Sequence, residues 1–522
     1  MDRDSTPLPV RPAWRSGLAA VRAPAALVGV ALILGTLTDY FFYGQPLGIS
    51  VPLFVLIALA ALFGLARREG VRAAHRNLWL LGPLLFFAIM VAVRANGFLT
   101  FVNVVMLPLL AGLLAYFFTG GTAMRLGLLG YPVVLARTGW HALTAAAAPV
   151  RSTGRALGLH RGRVRLAGPL LRGLTLALPV LALFTCLLAS ADSIFSDYVE
   201  QALRFHFLRD LPEALFRSVL ILGAAWLLAG GLVFALTRRP AVSETDRDTA
   251  GAWRPHFSVG FVEAVTVLGL VNALFLAFGW VQFAFLFSGE AGRTMGYEVY
   301  REYVRRGFGE LLVVAVLTLA LILGLRWLAW KETAREARTL NVLCSVMVGL
   351  ALVLLLSAFM RMVIWEQIEY YISTQLRLYI RWFIGWLALT FTWLAYTLWG
   401  SGRRFAIGGF VALLGFLISI NLMNPDSDVA RYNLARHDEL STRYIDLLSD
   451  DGVPALVAGF DATSGEEQRV LRDNLTWRLR NMEADPSWQS WPAFHFARSQ
   501  AYTSLMGLRH EGKIGGPLAP AR

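Results

Sequence analysis

Two stretches, LLGPLLFFAIMVAV (80–93) and GLALVLLLSAFM (349–360), decide the fold: neither carries a formal charge, and both sit inside longer apolar runs. A bilayer core requires about 20 mostly apolar residues per helical span. Windows of that kind recur about eleven times before residue 424, separated by arginine-rich segments. Backbone groups in lipid have no water to bond, so a spanning segment is either a helix or a strand of a closed barrel. The runs are continuous rather than alternating, which selects helices. The expected fold class is all-α: a polytopic transmembrane helical bundle of about eleven spans over 1–423, with a small extracytoplasmic helical tail over 424–522.

Composition agrees. The chain has 522 residues, 56% of them hydrophobic and 16% charged, whereas soluble domains average roughly 25% charged residues. The net charge of +13 does not point to nucleic acid, because its placement is wrong for a polyanion site. Residues 424–522 hold 11 basic against 14 acidic side chains, and the rest of the chain holds 37 against 21. That basic excess lies between apolar runs, where it orients helices in a bilayer. Only Cys186 and Cys344 are available for disulfide or thiolate chemistry, and both lie in apolar runs. Two lysines, Lys331 and Lys513, among 48 basic residues suggest a GC-rich bacterial genome. The first apolar run, about 24–43, is too long for a signal-peptide core and is expected to be retained as a span.

Spans are expected near 24–43, 47–66, 78–93, 99–118, 169–191, 212–236, 257–287, 309–330, 339–360, 378–399 and 403–423. With the amino terminus cytoplasmic, the inward segments hold 25 Lys and Arg and the outward ones 9. The positive-inside rule favours that orientation. The expectation is a multi-pass protein of the bacterial cytoplasmic membrane, with an odd span number leaving the tail outside. Its first partner is then the bilayer, with an anionic inner leaflet facing the 119–168 connection. From Gly70 to Ala191 there is no Asp or Glu, and RGRVR (161–165) packs three arginines into five residues. That connection reads as a topology-fixing loop, or as a surface helix in which MRLGLLGYPVVLARTGWHAL (124–143) lies in the interface.

In the tail the apolar spacing becomes helical with polar faces, as at Leu471, Leu475, Leu479 and Met482. Ser464 and Glu467 predict a capping box for that helix. Pro454 and Pro492 predict first helical turns. Trp477, Trp488 and Trp491 are expected in the tail core, the alternative being that they rest on the membrane surface. In NPDSDVARYN (424–433), Asp426 or Ser427 is expected to cap a helix carrying Asp428, Arg431 and Tyr432 on one face.

Catalytic signatures are missing from the sequence. Neither lysine stands in a phosphate-binding Gly-Lys-Ser/Thr context, no HExxH, GxSxG or CxxC occurs, and no two histidines are four apart. No metal and no cofactor is expected. Ionisable and amide side chains within spans are the default candidates in membrane proteins. Asp39, Arg217, Glu263 and Glu310 fall at span ends. Glu263, Asn272 and Gln282 do not share a helix face, which favours interhelical hydrogen bonding over an ion path. The denser polar set flanks two spans: Asp192 and Asp197 after the fifth, and Arg361, Glu369 and Arg377 before the tenth. Together with Asp428, Arg431 and Tyr432 they form the candidate outer-face cluster. Within it, Arg431 is expected to pair with Asp192 or Glu369 and so dock the tail over the spans.

SADSIF (190–195), RM…YYISTQLRLY (361–379) and NPDSDVARYNLAR (424–436) resemble the signatures of a bacterial family of multi-pass membrane proteins, the domain-of-unknown-function 4153/4173 group. The resemblance spans roughly 180–500 and implies many spans followed by a short helical tail. It implies no activity. It places Asp192, Arg361, Thr374, Arg377, Asn424, Asp428, Arg431, Tyr432 and Asn433 at the family's motif positions, with Ile372-Ser373 departing from its usual Gly-Leu. The expected role is a membrane scaffold or sensor whose outward tail meets a cell-envelope protein. The alternatives are a secondary transporter and an outer-leaflet enzyme acting on lipid-linked substrates.

Overall fold

The computed structural model describes residues 21–156, 206–238, 259–287, 297–328, 333–368, 374–400, 403–435 and 445–515. The membrane part comprises α1 (Pro24–Phe42), α2 (Ser50–Glu69), α3 (Leu81–Val93), α4 (Gly97–Phe117), α5 (Gly130–Thr144), α6 (Ala147–Ala156), α7 (His206–Thr237), α8 (Phe261–Phe287), α9 (Tyr297–Leu328), α10 (Ala334–Ile368), α11 (Gln375–Leu398) and α12 (Arg403–Met423). The tail adds α13 (Pro425–Leu434), α14 (Val453–Ala458), α15 (Gly465–Ala484) and α16 (Phe496–His510). Among the described residues ten helices are long and apolar enough to cross a membrane, and the fold is all-α. The expected span at 169–191 lies outside the described residues, as does Cys186.

Helix ends are set by local chemistry. Asn96 caps α4 by accepting from Leu99 N at 3.1 Å. Gly70, at φ +71°, closes α2 in the left-handed conformation that glycine adopts without a Cβ penalty. The first residues of α1 have no cap of their own. The Glu69 carboxylate at the end of α2 accepts from Arg22 N and Ala23 N at 2.7 and 2.9 Å instead. That contact satisfies otherwise orphaned donors and puts negative charge at a helix N-terminus.

Packing follows small residues. A Cβ on Gly35 of α1 would lie 2.5 Å from Ile221 O of α7, and one on Gly230 of α7 would run into the Ala142 carbonyl of α5. Backbones approach closely at such points, which is how helices associate in lipid without a hydrophobic driving force. One buried cluster joins α3, α4, α7 and α12 through Leu84, Leu110, Phe234 and Leu417. A second joins α8, α9, α10 and α11 through Leu268, Ile322, Met347 and Phe391. Three sets of polar groups in the bundle pair with one another or with backbone, which lowers their cost in a bilayer. Asn103 and Asn421 exchange reciprocal amide bonds of 2.8 and 3.0 Å between α4 and α12. Asn272 donates to Leu343 O at 3.1 Å across α8 and α10. Asp39 holds Arg217 through Oδ2 at 2.6 Å, with the guanidinium over the Tyr43 ring.

The bundle has two unlike ends. At one, Asn77 bonds Phe117 O, Gly121 O and Ala123 N, and Thr119 bonds Arg238 O. This is the arginine-rich end. The apolar stretch of the 119–168 connection is helical there, with α5 packed on α4 and α7 and its Trp140 and Leu143 exposed. At the other end sit the 44–49 and 94–96 turns, the start of α11 and the tail.

The tail has its own core. Leu471, Leu475 and Leu479 are buried against Leu456, Phe460, Leu505 and Leu508. Two expectations change. Ser464 occupies the N-cap position of α15, yet its side chain makes no capping bond. Of the three tryptophans only Trp488 packs on the core, bonding Met482 O. Trp477 is exposed, while Trp491 is exposed and leans on Tyr40 and Phe41 of α1. We predict that Leu475→Ala lowers tail stability by about 2–5 kcal/mol. Hydrogen exchange across 465–510 in the full-length protein measures this, and an unchanged profile contradicts the packing.

Candidate functional site

Where the tail meets the bundle, four polar elements converge: the 94–96 turn, the start of α11, the start of α13 and the 449–451 turn. Each is positioned by a local rule. Asn424 adopts φ +53° and accepts from Ser427 N at 3.3 Å, so it caps α13, with Pro425 in the first turn. The expected caps, Asp426 and Ser427, are thereby displaced into the helix. Asp426 then shares the inward face with Val429, Ala430 and Leu434, all of them buried. Thr374 caps α11 by accepting from Arg377 N at 3.4 Å.

The centre of the site is a pair of carboxylates. Asp426 is fully buried and Asp451 is 4% exposed. Asp426 accepts from Asn96 Nδ2 at 2.9 Å, from Ser449 Oγ at 2.5 Å and from Gln375 Nε2. Asp451 accepts from Ala95 N at 2.6 Å and Asn96 N at 2.9 Å, with Ser449 Oγ 3.3 Å away. Ser449 has one hydroxyl proton and can serve one carboxylate at a time. Arg94 bonds the last carbonyls of α12, Asn421 O at 2.7 Å and Leu422 O at 3.0 Å, and its third arm stands 3.7 Å from Asp451. His495, also buried, places Nε2 3.1 Å from Arg94 O. Beside this cluster Asp450 faces the other way, toward Arg498 at 3.1 Å and Arg478 at 3.9 Å within the tail.

Burial decides the titration behaviour. Desolvation first, and the neighbouring Asp426 second among the upward influences, push Asp451 up to about 6 against the pull of Arg94 and two backbone donors. Burial, then Arg498, pushes His495 down. Asp428 is raised by desolvation, countered by Arg431 and Arg94. Further contacts surround the polar centre: Ile49 N donates to Phe494 O at 2.8 Å, and Ser490 donates to Gln45 at 2.8 Å. Gly48 is so close to Ala493 and Phe494 backbone that a Cβ there would meet atoms at 2.5–2.6 Å.

Of the expected cluster, Asp192, Asp197 and Glu369 lie outside the described residues, and the Arg431 pairing with Asp192 or Glu369 lies there too. Arg361 and Arg377 are buried at the tail-facing ends of α10 and α11. Asp428 and Tyr432 are half-buried on α13, and Arg431 is exposed. The polar centre that joins tail to bundle also includes residues outside that set: Arg94, Asn96, Gln375, Asp426, Ser449, Asp451 and His495. A faint signal existed for Arg94, which is the one basic residue in the 94–98 segment, and for the paired acids at 450–451. Among the described residues no group of three or more His, Cys, Asp or Glu side chains could hold a metal ion.

The fold and this junction define an all-α, membrane-embedded polytopic protein with a helical tail docked on one end. The chain belongs to the family described as Domain of unknown function (DUF4153), whose model matches residues 81–459. That match includes Arg94, Asn96, Gln375, Asp426, Ser449 and Asp451, and stops before α15, α16 and His495. No curated protein and no solved structure matches the chain.

Removing one partner of a buried charge pair typically costs about 3–5 kcal/mol. Arg94 also holds the end of α12, so we expect Arg94→Ala to speed hydrogen exchange at 449–452 and at 421–423 together. Loss of protection in only one segment would show that Arg94 does not couple them. Linkage gives two opposed pH effects. Asp451 binds its proton more tightly when docked, so its contribution is full below about pH 4 and is lost as pH rises through about 6. His495 is held neutral when docked, so its contribution is present above about pH 6.5 and is lost as pH falls through its lowered value. His495→Gln should make docking tighten steadily on acidification, and Asp451→Asn should leave only acid loosening. Exchange at the Ala95 and Asn96 amides reports both, and identical pH profiles for the two variants would refute the assignment.

Proposed function

We propose that the protein is a membrane scaffold or sensor of the cytoplasmic membrane of a bacterium, with its amino terminus cytoplasmic and its tail outside. The tail offers a surface to a cell-envelope protein while the Asp426–Asp451 cluster fastens it to the bundle. The observation that carries this reading is the closure of the polar centre. Asp426, Asp451, Asn96 and His495 are each at most 5% exposed. A hydrolytic carboxylate pair needs room for substrate and water, and carboxylates this enclosed serve attachment instead. The intramembrane polar groups support the same choice over transport. Asn103–Asn421 and Asp39–Arg217 are each satisfied by a partner on another helix, which suits cohesion better than a path for ions. Orientation rests on the 25-to-9 distribution of basic residues between the two sets of connecting segments.

Ala493 is fully buried against the 44–49 turn, so a cysteine placed there is shielded while the tail is docked. In intact cells, Ala493→Cys should react slowly with a membrane-impermeant maleimide and much faster in combination with Asp451→Ala. Labelling that requires cell lysis would overturn the orientation. A rate indifferent to Asp451→Ala would overturn the claim that the Asp426–Asp451 cluster fastens the tail to the bundle.

A further inference from the structure

At the arginine-rich end, far from the tail, α9, α11 and α12 leave a crevice of about 430 Å³ beneath the turn that precedes α5. Its floor is apolar and buried, formed by Leu394, Phe405 and Ala406. Its lip is formed by the exposed side chains of Leu128, Leu129 and Trp327. The helical residues that line it stand within about five positions of a span end, Leu328, Leu398 or Arg404. That is the level at which acyl chains give way to headgroups, where tryptophan also collects.

One cation lies in this apolar wall. Arg326 carries five N–H donors, and Nη1 donates to Asn341 Oδ1 at 3.4 Å. Among the described residues no carboxylate forms an ion pair with it. A guanidinium in a low-dielectric setting calls for an anion, and its planar fork suits two phosphate oxygens. The volume falls in the range of about 300–1,000 Å³ usual for small-molecule sites. It suits the glycerol-phosphate end of a lipid and the upper part of one chain, with the remainder lying along the outside of the bundle. A zwitterionic headgroup brings its own cation to the phosphate, whereas a net-anionic one leaves that charge for the protein.

We propose that this crevice binds one anionic glycerophospholipid, with its phosphodiester on Arg326 and an acyl chain against Leu394, Phe405 and Ala406. The site does not depend on the reading of the tail, nor on which side of the membrane this end faces.

The test uses the full-length protein purified in detergent and native mass spectrometry with phosphatidylglycerol and phosphatidylcholine of identical chains. One basic residue near a headgroup corresponds to a preference of about fivefold, so wild type should retain phosphatidylglycerol by that factor. Arg326→Gln should erase the preference while leaving residual binding of both lipids. A second variant guards against misfolding. A Cβ at Gly324, on the crevice wall, meets nothing within 4 Å, so Gly324→Leu should fold, fill the space and reduce retention of both lipids. Inorganic phosphate at millimolar concentration should not displace the lipid. Equal retention of the two lipids by wild type, a preference that survives Arg326→Gln, wild-type retention by Gly324→Leu, or displacement by inorganic phosphate would each overturn the proposal. If Arg326→Gln does not fold, the Gly324→Leu measurement decides.

Discussion

The constraint on which the rest of the architecture depends is a dipeptide with two allegiances. Asp450 is held by Arg478 and Arg498 inside the tail, while Asp451 is held by the Ala95 and Asn96 amides of the bundle. Adjacent residues cannot move independently by more than a bond rotation allows. The tail core and the membrane helices are therefore tied to each other at a point of high electrostatic cost, beside the Ile49–Phe494 and Ser490–Gln45 contacts. Burying a carboxylate is tolerated only when donors replace water. Here backbone amides, an asparagine, a glutamine, a serine and an arginine do so for the two acids together. The weak member of the set is Ser449, whose single proton cannot satisfy both neighbours. Burial is the main origin of the upward shift at Asp451, and the neighbouring Asp426 charge adds to it.

The membrane interior solves its polar problem differently. Asn103 with Asn421 and Asp39 with Arg217 are closed pairs, each joining helices far apart in sequence and each leaving little unmet demand. Such pairs cost less to bury than isolated groups and fix helix register, because sliding by one residue would expose both members. Small residues do the complementary work at crossings such as Gly35 against Ile221.

Much of this was legible in the amino-acid order, for a physical reason. Bilayer thickness imposes a length on each apolar run, and 3.6-residue periodicity imposes a stripe on each tail helix. Both signals are local, so the spans and the Leu471, Leu475, Leu479 face could be read directly. The family resemblance seen in SADSIF, STQLRLY and NPDSDVARYN agrees with the family match over 81–459. The junction was not legible, because its residues run from Arg94 to His495 and share no period. Asp426 reads as a helix cap when Asn424 and Pro425 are taken to end the span, because acidic side chains are favoured at caps. Asn424 took that role by entering the left-handed region, which turned Asp426 inward. The tryptophans divide, Trp488 packing on the tail core and Trp477 and Trp491 lying exposed. Aromatic size predicts burial in a soluble core, yet Trp491 finds its apolar neighbours on α1 instead.

Asn424 is also the whole distance between the last span and the tail: α12 ends at Met423 and α13 begins at Pro425. A joint one residue long, stiffened by proline and by its own cap, has no slack to absorb displacement. Any push on the tail is delivered as torque to α12, whose final carbonyls rest on Arg94 and whose Asn421 is locked to α4. The tail and its span thus form a single bent lever with its fulcrum at the membrane surface, and mechanical load on one arm must reappear in the other.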